Sequence, residues 1–434
     1  MREMKNSGVE WIGEIPADWR VIKNKYLLKF MYSGGTPSST NSEFYCDNGI
    51  PFVSISDMSN TAFVNKTKKH ITYEGLLDKN LKVLKKGTIL YSIYATIGAV
   101  SELKVDAAIS QAMLALSTNE DVERRYYKYN LEAMKDYVYF NANGNTQFNL
   151  NAEKVNNFFF VLPSLTEQHR IADFLDEKYA KIDAVIEKQK QVIEKLKEYK
   201  LSVITEAVTK GLDPAVPMKD SGVEWIGEIP EKWSVTKASR IIVNTQNGLT
   251  RRDLDISAGN IVLKLKNIYA DGRINYSDTN RIALTDKEIA SYRLQDGDFL
   301  FVRVNGSKHL VGKCAIYKEI SEVVAYNDHI IRVRLNNLCN KRFFQLYLMS
   351  VPGKREIDLH TSTAAGQFTI SGEGLRDIIV LLPDISEQKI IVEYLDKIIC
   401  KIDSAIAKKQ SIIEKLTEYK KSLIYEVVTG KKEV

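Results

Sequence analysis

Ser7-Gly-Val-Glu-Trp-Ile-Gly-Glu-Ile-Pro16 recurs letter for letter as Ser221-Gly-Val-Glu-Trp-Ile-Gly-Glu-Ile-Pro230, and a second tryptophan follows each copy, Trp19 and Trp233. Such identity marks an internal duplication, which takes precedence over any finer reading. The decapeptide is best explained as a shared structural staple with Trp11 and Trp225 as its anchors. A longer repeat follows at a constant offset of 220, in which Leu162-Pro163 through Thr209 matches Leu382-Pro383 through Thr429 with about half of the positions identical. It includes Glu167-Gln168 with Glu387-Gln388 and Lys181-Ile182-Asp183 with Lys401-Ile402-Asp403. Between these flanks the halves diverge and the offset drifts from 214 to 220, so the second copy has gained about six residues. One fold was duplicated, and its middle was then set to a different task in each copy.

Residues 166–208 contain no Gly or Pro, and Leu175, Tyr179, Ile182, Ile186, Gln189, Ile193, Leu196, Lys200, Val203 and Ala207 alternate in steps of four and three. That is a heptad row. Leu395, Ile399, Ile402, Ile406, Lys409, Ile413, Leu416, Lys420, Leu423 and Val427 repeat it. A helix of about 40 residues extends roughly 60 Å, too long to bury its stripe against a small globule, so the two helices are expected to pair. An antiparallel pairing is favoured because a compact domain lies between them and returns the chain. Gln189 and Lys409 hold equivalent seam positions, where a polar residue either fixes register or reaches for solvent. Pro163 and Pro383 should stop the apolar strands Val155–Leu162 and Ile378–Leu382, with Thr166 and Ser386 as N-caps and Gly211 and Gly430 ending the helices.

The expected fold class is therefore α+β: two domains, 1–161 and 221–381, on two long helices, 162–211 and 382–434, that form an antiparallel coiled coil. Residues 212–220, with Pro214 and Pro217, read as the linker. Short strand-like runs punctuate each middle: Ile50–Ile55, Thr88–Ile93 and Met113–Leu116 in the first, Ile261–Leu265, Asp298–Val304 and Ile330–Leu335 in the second. Val122–Met134 and Lys341–Ser350 carry helical patterns.

Both middles offer polar, glycine-punctuated loops. In the first these hold Ser33, Gly34, Gly35 and Thr36, then Lys66, Lys68 and Lys69, then Asn143, Asn145 and Gln147. In the second they hold Arg251 and Arg252, then Arg303, Asn305, Ser307 and Lys308, then Thr363 and Gln367, with Lys266 following a strand. Glycine lets a backbone approach a duplex, Asn and Gln pair bidentately with adenine, Arg with guanine, and Lys or Ser with phosphate. A single such loop is usually a solvated turn, but six in two matched domains point to nucleic acid. Residues 21–165 contain only Arg124 and Arg125 beside many lysines, whereas residues 235–385 contain twelve arginines, so the second domain is expected to read the more G-rich site.

Composition is permissive: 434 residues, 44% hydrophobic, 27% charged and net +6 describe an ordinary globular chain whose nucleic-acid contacts must come from clusters. Cys46, Cys314, Cys339 and Cys400 lack metal-ligand spacing, and the histidines His70, His169, His309, His329 and His360 lack paired spacing. No signal-peptide core or membrane-length apolar run occurs, which fits a cytoplasmic protein. Neither an Asn-Pro-Pro-aromatic motif, nor a glycine-rich cofactor loop, nor a GxxxxGKS phosphate loop is present. Glu102-Leu-Lys104 has the form of a nuclease fragment but lacks an acidic partner for a metal.

The duplicated Gly-Val-Glu-Trp-Ile-Gly-Glu-Ile-Pro-x-x-Trp, the Gly34-Gly-Thr-Pro-Ser38 loop and the twice-present Leu-Pro-x-x-x-Glu-Gln before a long helix resemble the specificity subunits of Type I restriction-modification enzymes. The resemblance covers essentially the whole chain. It implies two target recognition domains, each reading half of a split, asymmetric double-stranded DNA site, with the helices setting the gap. It also implies a non-catalytic chain that binds no cofactor itself. Its partners would be two modification subunits using S-adenosylmethionine, and restriction subunits using ATP and Mg. The exposed helix faces near Lys181–Tyr199 and Lys401–Tyr419 would be docking surfaces. A coiled-coil scaffold with two protein-binding domains is the alternative.

Overall fold

The computed structural model describes residues 2–58, 62–143, 150–251, 259–269, 271–364 and 366–434. The first heptad run forms one helix, Leu165–Lys210, and its repeat forms another, Ile385–Val428. Two compact units result: the first holds residues 1–189 and 410–434, the second residues 190–409. Each unit owns part of both long helices and one divergent middle.

Within the first unit the helix segments run antiparallel. Ile171 and Leu175, early in the first helix, share a core with Leu423 and Val427, late in the second. Lys420 Nζ lies 2.6 Å from Asp183 and 4.2 Å above the Tyr179 ring. The second unit repeats the arrangement, with Ile204 and Ala207 packed in one core with Ile391 and Leu395, and Lys200 2.8 Å from Asp403. Lys200 and Lys420 are repeat equivalents, as are Asp183 and Asp403, so one pairing is made twice. All residues of both heptad rows are buried or half-buried, Gln189 and Lys409 included. Ion pairs with such exposed carboxylates add at most about 1 kcal/mol; the apolar stripe supplies the cohesion.

The helix ends differ slightly from expectation. Ser164 Oγ accepts the Glu167 N–H at 3.3 Å, which makes Ser164, not Thr166, the N-cap. In the repeat the Asp384 carbonyl accepts the first helical bond, from Gln388 N–H, so Ser386 already lies inside the helix. The chain turns directly after each proline, leaving no residue to spare. At the other ends Gly211 and Gly430 adopt φ of 76° and 75°. Residues 212–220 do not run wholly as linker, because Met218–Asp220 forms a strand against Glu228–Pro230, as Met4–Asn6 does against Glu14–Pro16.

The repeated Glu-Gln explains how each middle is tied to its helix. Gln168 is fully buried; its Oε1 accepts the Glu123 N–H at 2.9 Å, and its Nε2 donates to the carbonyls of Asp121 and Pro163. Gln388 copies this on Asn340 N–H at 2.7 Å and the carbonyls of Leu338 and Pro383. Arg125 and Arg342 lead from the same junctions to Asp176 and Asp396 on the long helices. Trp19 and Trp233, which follow the staple, are both buried, whereas its anchor Trp225 is 38% exposed and serves through an Nε1–H donated to Glu356. Trp11 is buried, so the decapeptide is held by different means in its two copies.

The middles share one topology. In the first, strands order as Leu28–Ser33, Met113–Thr118, Ile89–Ser92, Val100–Leu103 and Phe63–Val64; in the second, Ile242–Asn247, Ile330–Leu335, Phe299–Val302 and Cys314–Ile316 reproduce the first four. A second sheet places Ala108–Ile109 parallel to Ile50–Val53, and Val324–Tyr326 parallel to Asn260–Leu263. The expected strand Val155–Leu162 is shorter: Ala152–Asn156 is helical behind the Asn151 cap, and only Phe159–Leu162 pairs, with Arg20–Lys23.

Two outcomes follow from these junctions. Replacing Gln168 with Leu strands the Glu123 N–H and two carbonyls and should cost at least about 3 kcal/mol in urea unfolding, with Gln388→Leu behaving alike. A methyl on Gly430 would overlap the Pro16 ring, whereas on Gly211 it would meet nothing closer than 3.5 Å. Gly430→Ala should therefore destabilise more than Gly211→Ala by about 1–3 kcal/mol, read as a lower Tm.

Candidate nucleic-acid interface

The parallel strand pairs carry their loops to one end of each sheet. In the first unit the Ser110 N–H donates to Val53, and Gly35 N–H donates to Ile109, which brings the 33–36 loop beside residues 54–57 and 110–112. Lys68 N–H donates to Asp57 at 3.1 Å, so the 66–69 loop joins the same end. Lys66, Lys68 and Lys69 are exposed there, Lys69 with its ammonium 6.0 Å from the Tyr45 ring centre. Ser33 is exposed, while Gly34, Gly35 and Thr36 are half-buried.

Gly34 has a structural task. Any Cβ on it would overlap the carbonyl oxygens of Ile109 and Ser110, and Gly248 stands in the same relation to Tyr326 and Asn327. These glycines let the two sheets cross closely, which differs from the expected approach of backbone to duplex.

In the second unit Val304–Asn305 pairs with Gln367–Ile370, which in turn pairs with Thr361–Ala364. This ribbon unites two of the loops singled out in the sequence. Cross-strand register places Ser362, Thr369 and Val304 on one face and Thr363, Phe368 and Asn305 on the other. Gln367, two residues from Thr369, shares the first face. Arg303 Nη1 donates to the Asp328 carbonyl, and Leu249 exchanges backbone bonds with Tyr326 and Asp328, so the 247–251 and 327–329 loops meet at this end. Ser307 is half-buried and Lys308 exposed beyond the ribbon.

Two predicted residues are drawn elsewhere or neutralised. Arg251 reaches Glu288 at 3.1 Å and the Ala283 carbonyl, and Lys266 pairs with Asp278 at 2.7 Å. The Glu288 carboxyl is held below its ordinary value, first by the Thr285 N–H and then by the Thr285 hydroxyl and Arg251, against the effect of burial. Asn143 ends the helix Lys135–Asn143; its side chain, together with Asn145, Gln147 and Arg252, lies outside the described residues.

A family model, Type I restriction modification DNA specificity domain, matches residues 16–195 and again residues 254–415. The chain belongs to that family. Both matches are to the same domain, one per copy of the repeat. The chain is 26% identical over 280 residues to the Type I restriction enzyme EcoKI specificity subunit of Escherichia coli (strain K12), covering 62% of this chain and 56% of that protein. It is 24% identical over 429 residues to the MjaVIII specificity subunit of Methanocaldococcus jannaschii, covering 96% of this chain and 93% of that protein. The chain thus spans a little over half the length of the first of these relatives. A solved structure described as the structural basis of complex assembly and conformational transition of the type I R-M system aligns with TM-score 0.70 over 96% of this chain and 99% of that one, at 14% identity. That likeness is one of fold.

Within this specificity-domain pair, sequence reasoning missed Gln111, Asp57, Asp328 and His329, which lie at the polar sheet ends. Gln111 is exposed, and Asp328 and His329 are half-buried. Ser110-Gln111 and Asn327-Asp328 each stand one residue before the central strands Met113–Thr118 and Ile330–Leu335, a repeat-matched signal. The arginine excess has a structural explanation: Arg273, Arg281, Arg293, Arg334 and Arg342 sit in ion pairs, and Arg376 donates to backbone carbonyls. Arg303 lies at the polar end, donating to the Asp328 carbonyl.

Gly34→Ala and Gly248→Ala should each cost more than about 2 kcal/mol by overpacking. Hydrogen exchange should show protection lost at the affected sheet crossing, and a stable, unperturbed variant would refute the close-approach assignment.

Proposed function

We propose that this chain is the DNA-reading, non-catalytic specificity subunit of a Type I restriction-modification assembly, each unit reading one half of a bipartite asymmetric target. The observation that carries this reading is the duplicated polar sheet end: backbone and topology match, while the side chains presented by the two copies differ. A frame that stays the same under loops that change suits sequence readout, where phosphate contacts position and base contacts specify. In this reading the chemistry belongs to partner subunits.

Those partners are two modification subunits, carrying S-adenosylmethionine, and restriction subunits using ATP and Mg. Tyr199 and Tyr419, repeat equivalents exposed in the identical Glu-Tyr-Lys of each helix, are suited to receive two copies of one partner. The long helices set the gap, and no described helix is long and apolar enough to cross a membrane. A four-residue insertion after Ala184 adds roughly 6 Å of helix and should change the gap without altering the half-site bases.

Mapping methylated adenines in the source genome with and without this gene tests the function directly. Loss of one bipartite motif is expected, and an unchanged methylation map refutes the reading. Removing Lys66, Lys68 and Lys69 together should weaken binding to all duplexes and flatten its salt dependence by about one log unit per lost phosphate contact. Gln367→Ala should instead relax one base position, at about 1–3 kcal/mol. A scaffold with protein partners would show neither effect.

A further inference from the structure

The two copies of the fold differ most tellingly in one loop. Gly98 N–H donates to the Ser92 carbonyl at 3.0 Å, and Gly312 N–H donates to the Val302 carbonyl at 2.8 Å. Both glycines have positive φ, 79° and 75°. These bonds define equivalent ends, between which the first unit runs residues 93–97 and the second runs residues 303–311. The loop of the second copy is therefore four residues longer, at the polar sheet end.

The short loop is closed on itself. Ser92 Oγ donates to the Tyr94 carbonyl at 2.9 Å, Thr96 Oγ1 donates to Ser92 Oγ, and Ala95 adopts the left-handed φ of 57°. The long loop is built outward. Val304–Asn305 forms the third strand of the ribbon, Asn305 Oδ1 accepts the Ser307 N–H, and Lys308–Leu310 makes one 3-10 turn before Val311 returns to the core. Gly306, Lys308 and His309 are left exposed at its tip.

We infer that residues 303–311 are a specificity insert peculiar to the second unit, through which that unit reads at least one base pair more than the first. The inference rests on the proposed DNA-reading role. An extended residue spans about 3.3–3.6 Å, so four extra residues, going out and back, add roughly 7 Å of reach. Successive bases are spaced 3.4 Å along a strand, so the added reach amounts to about two base steps. The ribbon behind the loop holds it at a fixed angle, as a two-stranded element entering a major groove requires. Lys308 is a donor for guanine or phosphate, and His309 and Ser307 can donate or accept at a base edge.

The test replaces residues 303–311 with the five-residue sequence of 93–97 in the full chain, assembled with its modification subunits, and selects bound sites from a randomised duplex library. One half-site should shorten by at least one specified base pair while the other half and the gap stay as they were. A selected motif of unchanged length overturns the inference. Should the grafted chain fail to fold, the double variant Lys308→Ala, His309→Ala decides: at least a tenfold loss of discrimination at one position is expected, and unaltered discrimination at every position overturns the inference. An unaltered assembly that selects no motif would defeat the DNA-reading role itself, a result distinct from either of these.

Discussion

A buried glutamine amide fastens each variable middle to its long helix, and the duplication works because of what that amide touches. Gln168 and Gln388 bond only to backbone: an N–H at the start of a domain helix, a carbonyl two residues earlier, and the carbonyl of the proline before the long helix. Backbone groups are the same whatever side chains surround them. The middles could therefore diverge while the joint stayed identical, and leaving such buried groups unbonded would cost about 1–3 kcal/mol each.

The antiparallel helix segments complete the frame. Lys420 on Asp183 and Lys200 on Asp403 place the same contact in both units, and the heptad rows close around it. Gly34 and Gly248 then fix how closely the two sheets of each middle cross, since neither tolerates a side chain against the carbonyls it faces. Beyond these points the loops carry little structural duty. Loop length and side chains at the polar end are free to differ, and they do.

Much of the frame was legible in the sequence because it obeys short-range rules. Heptad spacing announced both helices, and Gly211 and Gly430 announced their ends. The caps were misplaced because Ser164 and Asp384 are cap formers at least as good as Thr166 and Ser386, and their position directly after a proline decided between them. Val155 misled because an apolar residue reads alike in a strand and a short helix; its partner Asn24 donates to its carbonyl from a distant segment. The candidate interface was half legible. Lysines and the 303–308 and 361–367 loops stood out by composition, but Gln111 and Asp328 reach the same end only through a parallel strand pairing that no local pattern encodes.

The arginines of the second unit bear on how such a chain would search. Arg251, Arg281, Arg293, Arg334 and Arg342 are each matched by a carboxylate of the same unit, so their charge is largely spent internally. Adhesion to DNA of any sequence grows with the number of phosphates a protein neutralises and the counterions it releases. Arginines matched in this way would add little hold on wrong sequences, and a long dwell would then depend on contacts that the bases themselves supply.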